Sequence, residues 1–214
     1  MAPEIGHFAL IVALLLAFTQ AIVPLYGALR RDPAAMAFGD SAAIGQCLFI
    51  LLAFACLTYA FVTSDFSVAN VVANSHTAKP LIYKISGVWG NHEGSMLLWV
   101  LILAIFGAAV AVFGRRLPDT LKANALAVQG MIGLGFLLFI EFTSNPFERV
   151  FPAPADGNGL NPILQDPGLA IHPPFLYLGY VGFSMAYSFS VAALIEGKVD
   201  AAWARWVRPW VLAA

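Results

Sequence analysis

The chain has 214 residues, a formal net charge of −1, 60% hydrophobic residues and only 11% charged ones. A soluble domain carries roughly 25% charged residues, so an ordinary water-facing globule is excluded. No basic patch or RNA-binding motif is present, which leaves the lipid bilayer, and not nucleic acid, as the partner the composition demands.

A membrane span needs about 20 apolar residues. The first candidate, Ile5–Leu29, has no charged residue. It lacks a basic leader, follows Glu4 and is too long for the core of a cleavable signal peptide. Ala9, Ala13, Ala17 and Ala21 recur along it every fourth position, a seam on which a second helix can pack closely. The second span, Ser41–Ser64, holds Cys47 and Cys56 on opposite faces, about 13 Å apart in rise. They cannot form a disulfide together, and no CxxC or CxxCH is present. The semi-apolar loop 65–93 follows and ends in Trp89-Gly90-Asn91-His92-Glu93-Gly94-Ser95.

The third span is Gly94–Gly114, and the fourth is Ala123–Phe142 with Glu141 at its end, able to snorkel outward. Loop 143–172 comes next, rich in proline and in Asn-Pro and Asp-Pro turns. Its apolar residues, among them Phe147, Phe151, Leu160 and Ile163, argue for folding back on the membrane surface. The fifth span, Pro173–Ile195, has a small-residue seam at Gly179, Gly182 and Ala186. Trp203, Trp206 and Trp210 fall on one helical face with Arg205 and Arg208 opposite, the pattern of an interfacial helix. A sixth span is expected to begin near Pro209. The fold class is therefore all-α: one polytopic membrane domain, residues 1–214, of five full spans and the start of a sixth.

Lys and Arg set the expected orientation. Arg30, Arg31, Arg115, Arg116, Lys122, Lys198, Arg205 and Arg208 lie on one side; Lys79, Lys84 and Arg149 lie on the other. The richer side is cytoplasmic by the positive-inside rule, so the N-terminus and loops 65–93 and 143–172 are expected outside, in a bacterium the periplasm.

Two outer sites could carry chemistry. His172-Pro173-Pro174 opens the fifth span, and proline biases the preceding residue towards extended geometry. His172 is then expected just outside the helix, either as an axial ligand for haem iron or as a turn histidine bonded to loop backbone. His92-Glu93 sits at the start of the third span, where the helix dipole favours the carboxylate. Glu93 could fix the imidazole's tautomer, or the pair could be an interfacial cap with Trp89 in an aromatic belt. Topology puts His92 and His172 at similar depth, so both could face one site. His7 reads as a packing residue and His76 as solvated. No nucleophile elbow, HExxH or phosphate loop suggests hydrolysis.

The sequence resembles the CcmF family, membrane subunits of the bacterial cytochrome c haem lyase. The resemblance runs through Pro3–Leu10, Asp65–Val68, Trp89–Trp99, Phe142–Phe147, Leu160–Gly168 and His172–Ser184. It implies cytochrome c biogenesis at the inner membrane: haem is received from the haem chaperone CcmE and joined by thioether bonds to the CxxCH segment of an apocytochrome c, with CcmH handling thiols. It also implies that His172 is one of the two outer histidines holding the incoming haem iron. Trp89, His92 and Glu93 are candidates for its surroundings. The second outer histidine, the ligands of a resident b-type haem and the tryptophan-rich haem platform would lie beyond residue 214, so this chain alone is expected to be inactive without the remainder of CcmF. A paralogue serving nitrite-reductase cytochromes is an alternative that this portion also admits. Rival readings are a haem or other substrate transporter, for which Pro24 is the main mid-depth irregularity, and a scaffold subunit without catalysis.

Overall fold

The computed structural model describes residues 1–213. In chain order the helices are α1 (Ala2–Arg30), α2 (Pro33–Thr63), α3 (Ala69–Asn74), α4 (Leu81–Gly87), α5 (His92–Phe113), α6 (Asp119–Thr143), α7 (Pro167–Glu196) and α8 (Ala201–Ala213). Five of them, α1, α2, α5, α6 and α7, are long and apolar enough to cross a membrane. One isolated antiparallel bridge, Val68 with Arg149, is the only β pairing among the described residues.

Capping starts two helices well before their apolar runs. Asp32 accepts hydrogen bonds from Ala34 N (2.9 Å) and Ala35 N (3.3 Å), with Pro33 in the first turn. The expected linker 30–40 therefore shrinks to Arg31 and Asp32. Asp166 does the same for α7, accepting from Gly168 N (2.8 Å) and Leu169 N (3.2 Å) beside Pro167. An Asp-Pro pair makes a strong helix start because the side chain fills an orphan donor and proline has none to lose. At the other end of the chain, α8 begins at Ala201 and carries Pro209 inside it, so no separate helix opens there.

The core lies between α5, the most buried span, and its neighbours α2, α6 and α7. The alanine seam of α1 is buried as expected, with Ala9, Ala13 and Ala17 fully covered. On α7 Gly182 is buried as expected, in a stripe with Val181, Met185, Phe189 and Ala192, whereas Gly179 and Ala186 are only half-buried. Trp203, Trp206 and Trp210 pack against that stripe from α8 while Arg205 and Arg208 stay exposed. Mid-bundle, Gln20 donates to Leu126 O (2.9 Å) and Gln129 donates to Leu103 O. These carboxamides tie α1 to α6 and α6 to α5, an interhelical glue that suits an apolar interior. Single uncharged polar residues barely interrupt an apolar run, so the hydropathy pattern passes over them.

Each span reverses direction, so one end of the bundle has short linkers and the other carries both long loops. The loops dock on each other through Ala69 N to Glu148 O (2.8 Å), Val150 N to Ser67 O (3.0 Å) and Asn158 N to Val72 O (2.8 Å). Phe147 drops into the core against Gly6, whereas Phe151 and Ile163 point outward.

Candidate functional site

At the loop-rich end, a cavity of about 500 Å³ opens between the start of α5 and the first turns of α7. Its walls include Trp89, His92, Met96, Leu160, Pro173 and Tyr177. Local sequence builds each wall. Asn91 caps α5 by accepting from Gly94 N (2.7 Å) and donates to Gly87 O (2.7 Å), drawing the Val88–Gly94 turn tight. A Cβ on Gly94 would stand 1.6 Å from Val88 O, so only glycine closes this turn. Ser95 Oγ donates to Trp89 O (2.9 Å) and pairs with the Tyr177 hydroxyl (2.9 Å), linking α5 to α7.

Trp89 is held on two sides. Its ring stacks on Phe54 at 6.5 Å and 11°. Its indole N–H donates to Ala170 O at 2.8 Å. That carbonyl is free because the residue four further on, Pro174, has no N–H. Proline in α7 thus exposes a buried acceptor, and Trp89 fills it. The indole is a strut to α7.

His92 is the first residue of α5 and lines this cavity together with Met96. Its Nδ1 pairs with Ser144 Oγ at 2.7 Å, leaving Nε2 as the unanchored nitrogen. The expected tautomer-fixing role of Glu93 is corrected: no hydrogen bond joins Glu93 to the ring among the described residues, and Ser144 occupies that nitrogen. The cap role also passes to Asn91. His92 borders a second, apolar pocket of about 460 Å³ with Met131, Phe136 and Phe139, so it stands between two cavities.

His172 departs from the expected placement. It lies in the second turn of α7, inside the helix, because Asp166 starts that helix six residues earlier. Its imidazole is exposed and has no hydrogen-bond or ion-pair partner among the described residues. Pro173 and Tyr177 line the cavity, but His172 does not. One residue turns an α-helix by about 100°, which carries its side chain off the cavity-facing stripe. The structure therefore does not bring His92 and His172 into one cavity. It also removes the turn-histidine reading, since the cap belongs to Asp166.

His7, His76 and their carboxylate partners are structural ties. His7 Nε2 lies 2.9 Å from Glu141 Oε2 and 3.4 Å from Asn145 Nδ2, so Glu141 is locked to α1 and does not snorkel. His76 accepts from Ala78 N (3.1 Å) through Nδ1, and its Nε2 sits 3.4 Å from Asp156 Oδ2. The Thr77 hydroxyl holds the Asp156 carboxyl below its usual range. Burial, aided by the charge of Lys84, pulls the Lys79 amine down to about 8. No group of three or more His, Cys, Asp or Glu that could hold a metal ion occurs among the described residues.

These features define a multi-pass helical membrane protein with an apolar cavity and a histidine-bearing rim at one end. A family model described as cytochrome C assembly protein matches residues 89–214. The cytochrome c-type biogenesis protein ccl1 of Rhodobacter capsulatus is 66% identical over 214 residues, covering 100% of this chain and 33% of that protein. The cytochrome c-type biogenesis protein CcmF of Pseudomonas aeruginosa is 58% identical, with 100% and 33% covered. A solved structure, the cytochrome c heme lyase CcmF, superposes with a TM-score of 0.85 at 25% identity, over 100% of this chain and 33% of the other. The chain belongs to the cytochrome C assembly protein family. It spans about a third of the length of the curated relatives it matches.

Proposed function

We propose that this chain forms the N-terminal part of a CcmF-type cytochrome c haem lyase, with its loop-rich end on the periplasmic face of the inner membrane. Haem is its substrate, received from CcmE and attached to the CxxCH thiols of an apocytochrome c, with CcmH handling the thiols. The observation that carries the reading is His172: an exposed imidazole with no partner among the described residues, on a proline-bearing helix whose next residue walls an apolar cavity. A neutral imidazole of this kind is a ready iron ligand. The excess of Lys and Arg at the short-linker end supports the orientation.

The residues fit one side of a haem and no more. His172 offers one axial nitrogen, and the exposed Phe175 and Leu176, three and four residues on along the same helical face, offer apolar cover. The second outer ligand, the tryptophan-rich platform and the ligands of a resident b-type haem are assigned to the two thirds of the relatives' length that this chain does not span. Its own part is positional. His172 would hold the haem iron at the exposed face of α7, where an apocytochrome segment can reach it. Thiol addition to a vinyl group forms a C–S bond and moves the thiol hydrogen to the other vinyl carbon, with no net oxidation. Holding the two partners in register is therefore most of what such a site must supply. Transport is less well served, because α1 runs unbroken through Pro24 and the buried Gln20 and Gln129 bond to backbone.

His172→Ala in the full-length protein tests the reading. Haem staining of a reporter cytochrome c is expected to vanish while the resident haem absorbance stays. Unchanged staining would overturn the assignment.

A further inference from the structure

At the opposite end of the bundle a second groove has chemistry that the haem reading does not use. It has a volume of about 410 Å³ and lies where α5 ends and α8 crosses, lined by Phe113, Arg116, Arg205, Trp206, Pro209 and Trp210. Its floor is apolar: Trp210 stacks on Phe189 at 6.2 Å and 29°, and Val207 between the tryptophans is buried. Phe113 at its edge is 76% exposed, a ring left where the spanning part of α5 ends. Arg116 comes from the α5–α6 linker and Arg205 from α8, and neither has an ion-pair or hydrogen-bond partner among the described residues.

We infer that this groove binds an anionic phospholipid, with its phosphate held between Arg116 and Arg205 and its acyl chain laid over Phe113 and the tryptophans. Two guanidiniums from separate elements suit a phosphate, because each presents a planar fork of donors. Basic pockets between helices at the membrane interface recognise anionic headgroups in this way. The carbonyl end of α5 lies nearby and repels an anion, but it amounts to roughly half a charge against two full ones. Free phosphate would satisfy the arginines and leave the apolar floor without an occupant. A lipid matches both halves. Such a site can work in either leaflet and does not depend on the haem assignment.

The test uses the full-length protein in detergent, with native mass spectrometry against phosphatidylglycerol and phosphatidylcholine of the same acyl chains. Retention of phosphatidylglycerol is expected to exceed that of phosphatidylcholine by about tenfold or more, on the order of what two basic residues contribute at an anionic surface. Arg116→Gln with Arg205→Gln should erase the preference, and the corresponding double lysine substitution should keep most of it. The wild type gives a second reading without any variant: rising salt should shrink the preference severalfold, while excess inorganic phosphate should leave the lipid in place. Equal retention of the two lipids, a preference that survives in the glutamine variant or at high salt, or displacement by inorganic phosphate would each overturn the inference. So would a photocrosslinker at position 210 that captures another segment of the full-length chain in place of lipid.

Discussion

The two ends of the bundle solve opposite problems. At the short-linker end, Asp32 and Pro33 turn the chain within two residues, and Lys122 Nζ bonds Asp40 Oδ2 at 2.7 Å to tie α6 to α2. At the loop-rich end, long segments spend many hydrogen bonds on one another, and the result is a cavity with walls from four separate parts of the chain. Tight turns connect spans with little surface to spare. Long docked loops cost more ordering entropy, and they can hold side chains at chosen positions around an opening. The proposed haem site accordingly lies at the end where the chain is longest between spans.

This contrast means that the loop-rich end should break at particular atoms. The largest effect is expected from Gly94→Ala. A methyl group 1.6 Å from Val88 O forces the turn open, and a loss of about 3 kcal/mol or more follows from such a backbone clash. Thermal unfolding of the purified full-length protein should show it, whereas Gly135→Ala, which meets nothing within 4 Å, should leave stability near wild type. Next comes Trp89→Phe, which leaves the Ala170 carbonyl without its donor and should cost about 1–3 kcal/mol. Ser144→Ala should cost about 1 kcal/mol and free the His92 ring. Its signature is a change in the His92 nitrogen chemical shifts with the fold intact.

A separate effect concerns pH. Lys79 titrates near 8 in the folded protein, below the ordinary lysine value of 10.5. A lowered folded value means that the unfolded chain binds more protons between these limits, so stability rises with pH from about 8 to 10.5. The penalty is fully present below 8. Lys79→Met should flatten that rise in a pH series of unfolding curves, and an unchanged slope would show that the amine is not the source.

How much of this is legible in the sequence differs by feature. The five spans can be read directly, because apolar runs of membrane length rarely occur outside a bilayer. The tryptophan face of α8 follows from its spacing. The start of α7 is harder to place, because Pro173-Pro174 has the form of a helix opening while the stronger signal, Asp166-Pro167, also fits a turn. Reading the helix from Pro173 moves His172 out of it and into a shared site with His92. Trp89 and His92 stand out as cavity-side candidates, but their partners Ala170 and Ser144 lie 81 and 52 residues away. A pairing of that reach leaves no local periodicity to read. The His7–Glu141 tie, across 134 residues, is hidden for the same reason.

The proposed haem chemistry rests on a free imidazole at position 172. The most direct measurement replaces it by glycine in the full-length protein and supplies free imidazole, following haem attachment to a reporter cytochrome c and the resident haem spectrum together. Loss of attachment, an unchanged resident spectrum and partial recovery as imidazole is added are the expected results. Wild-type attachment in the glycine variant without imidazole would contradict the assignment.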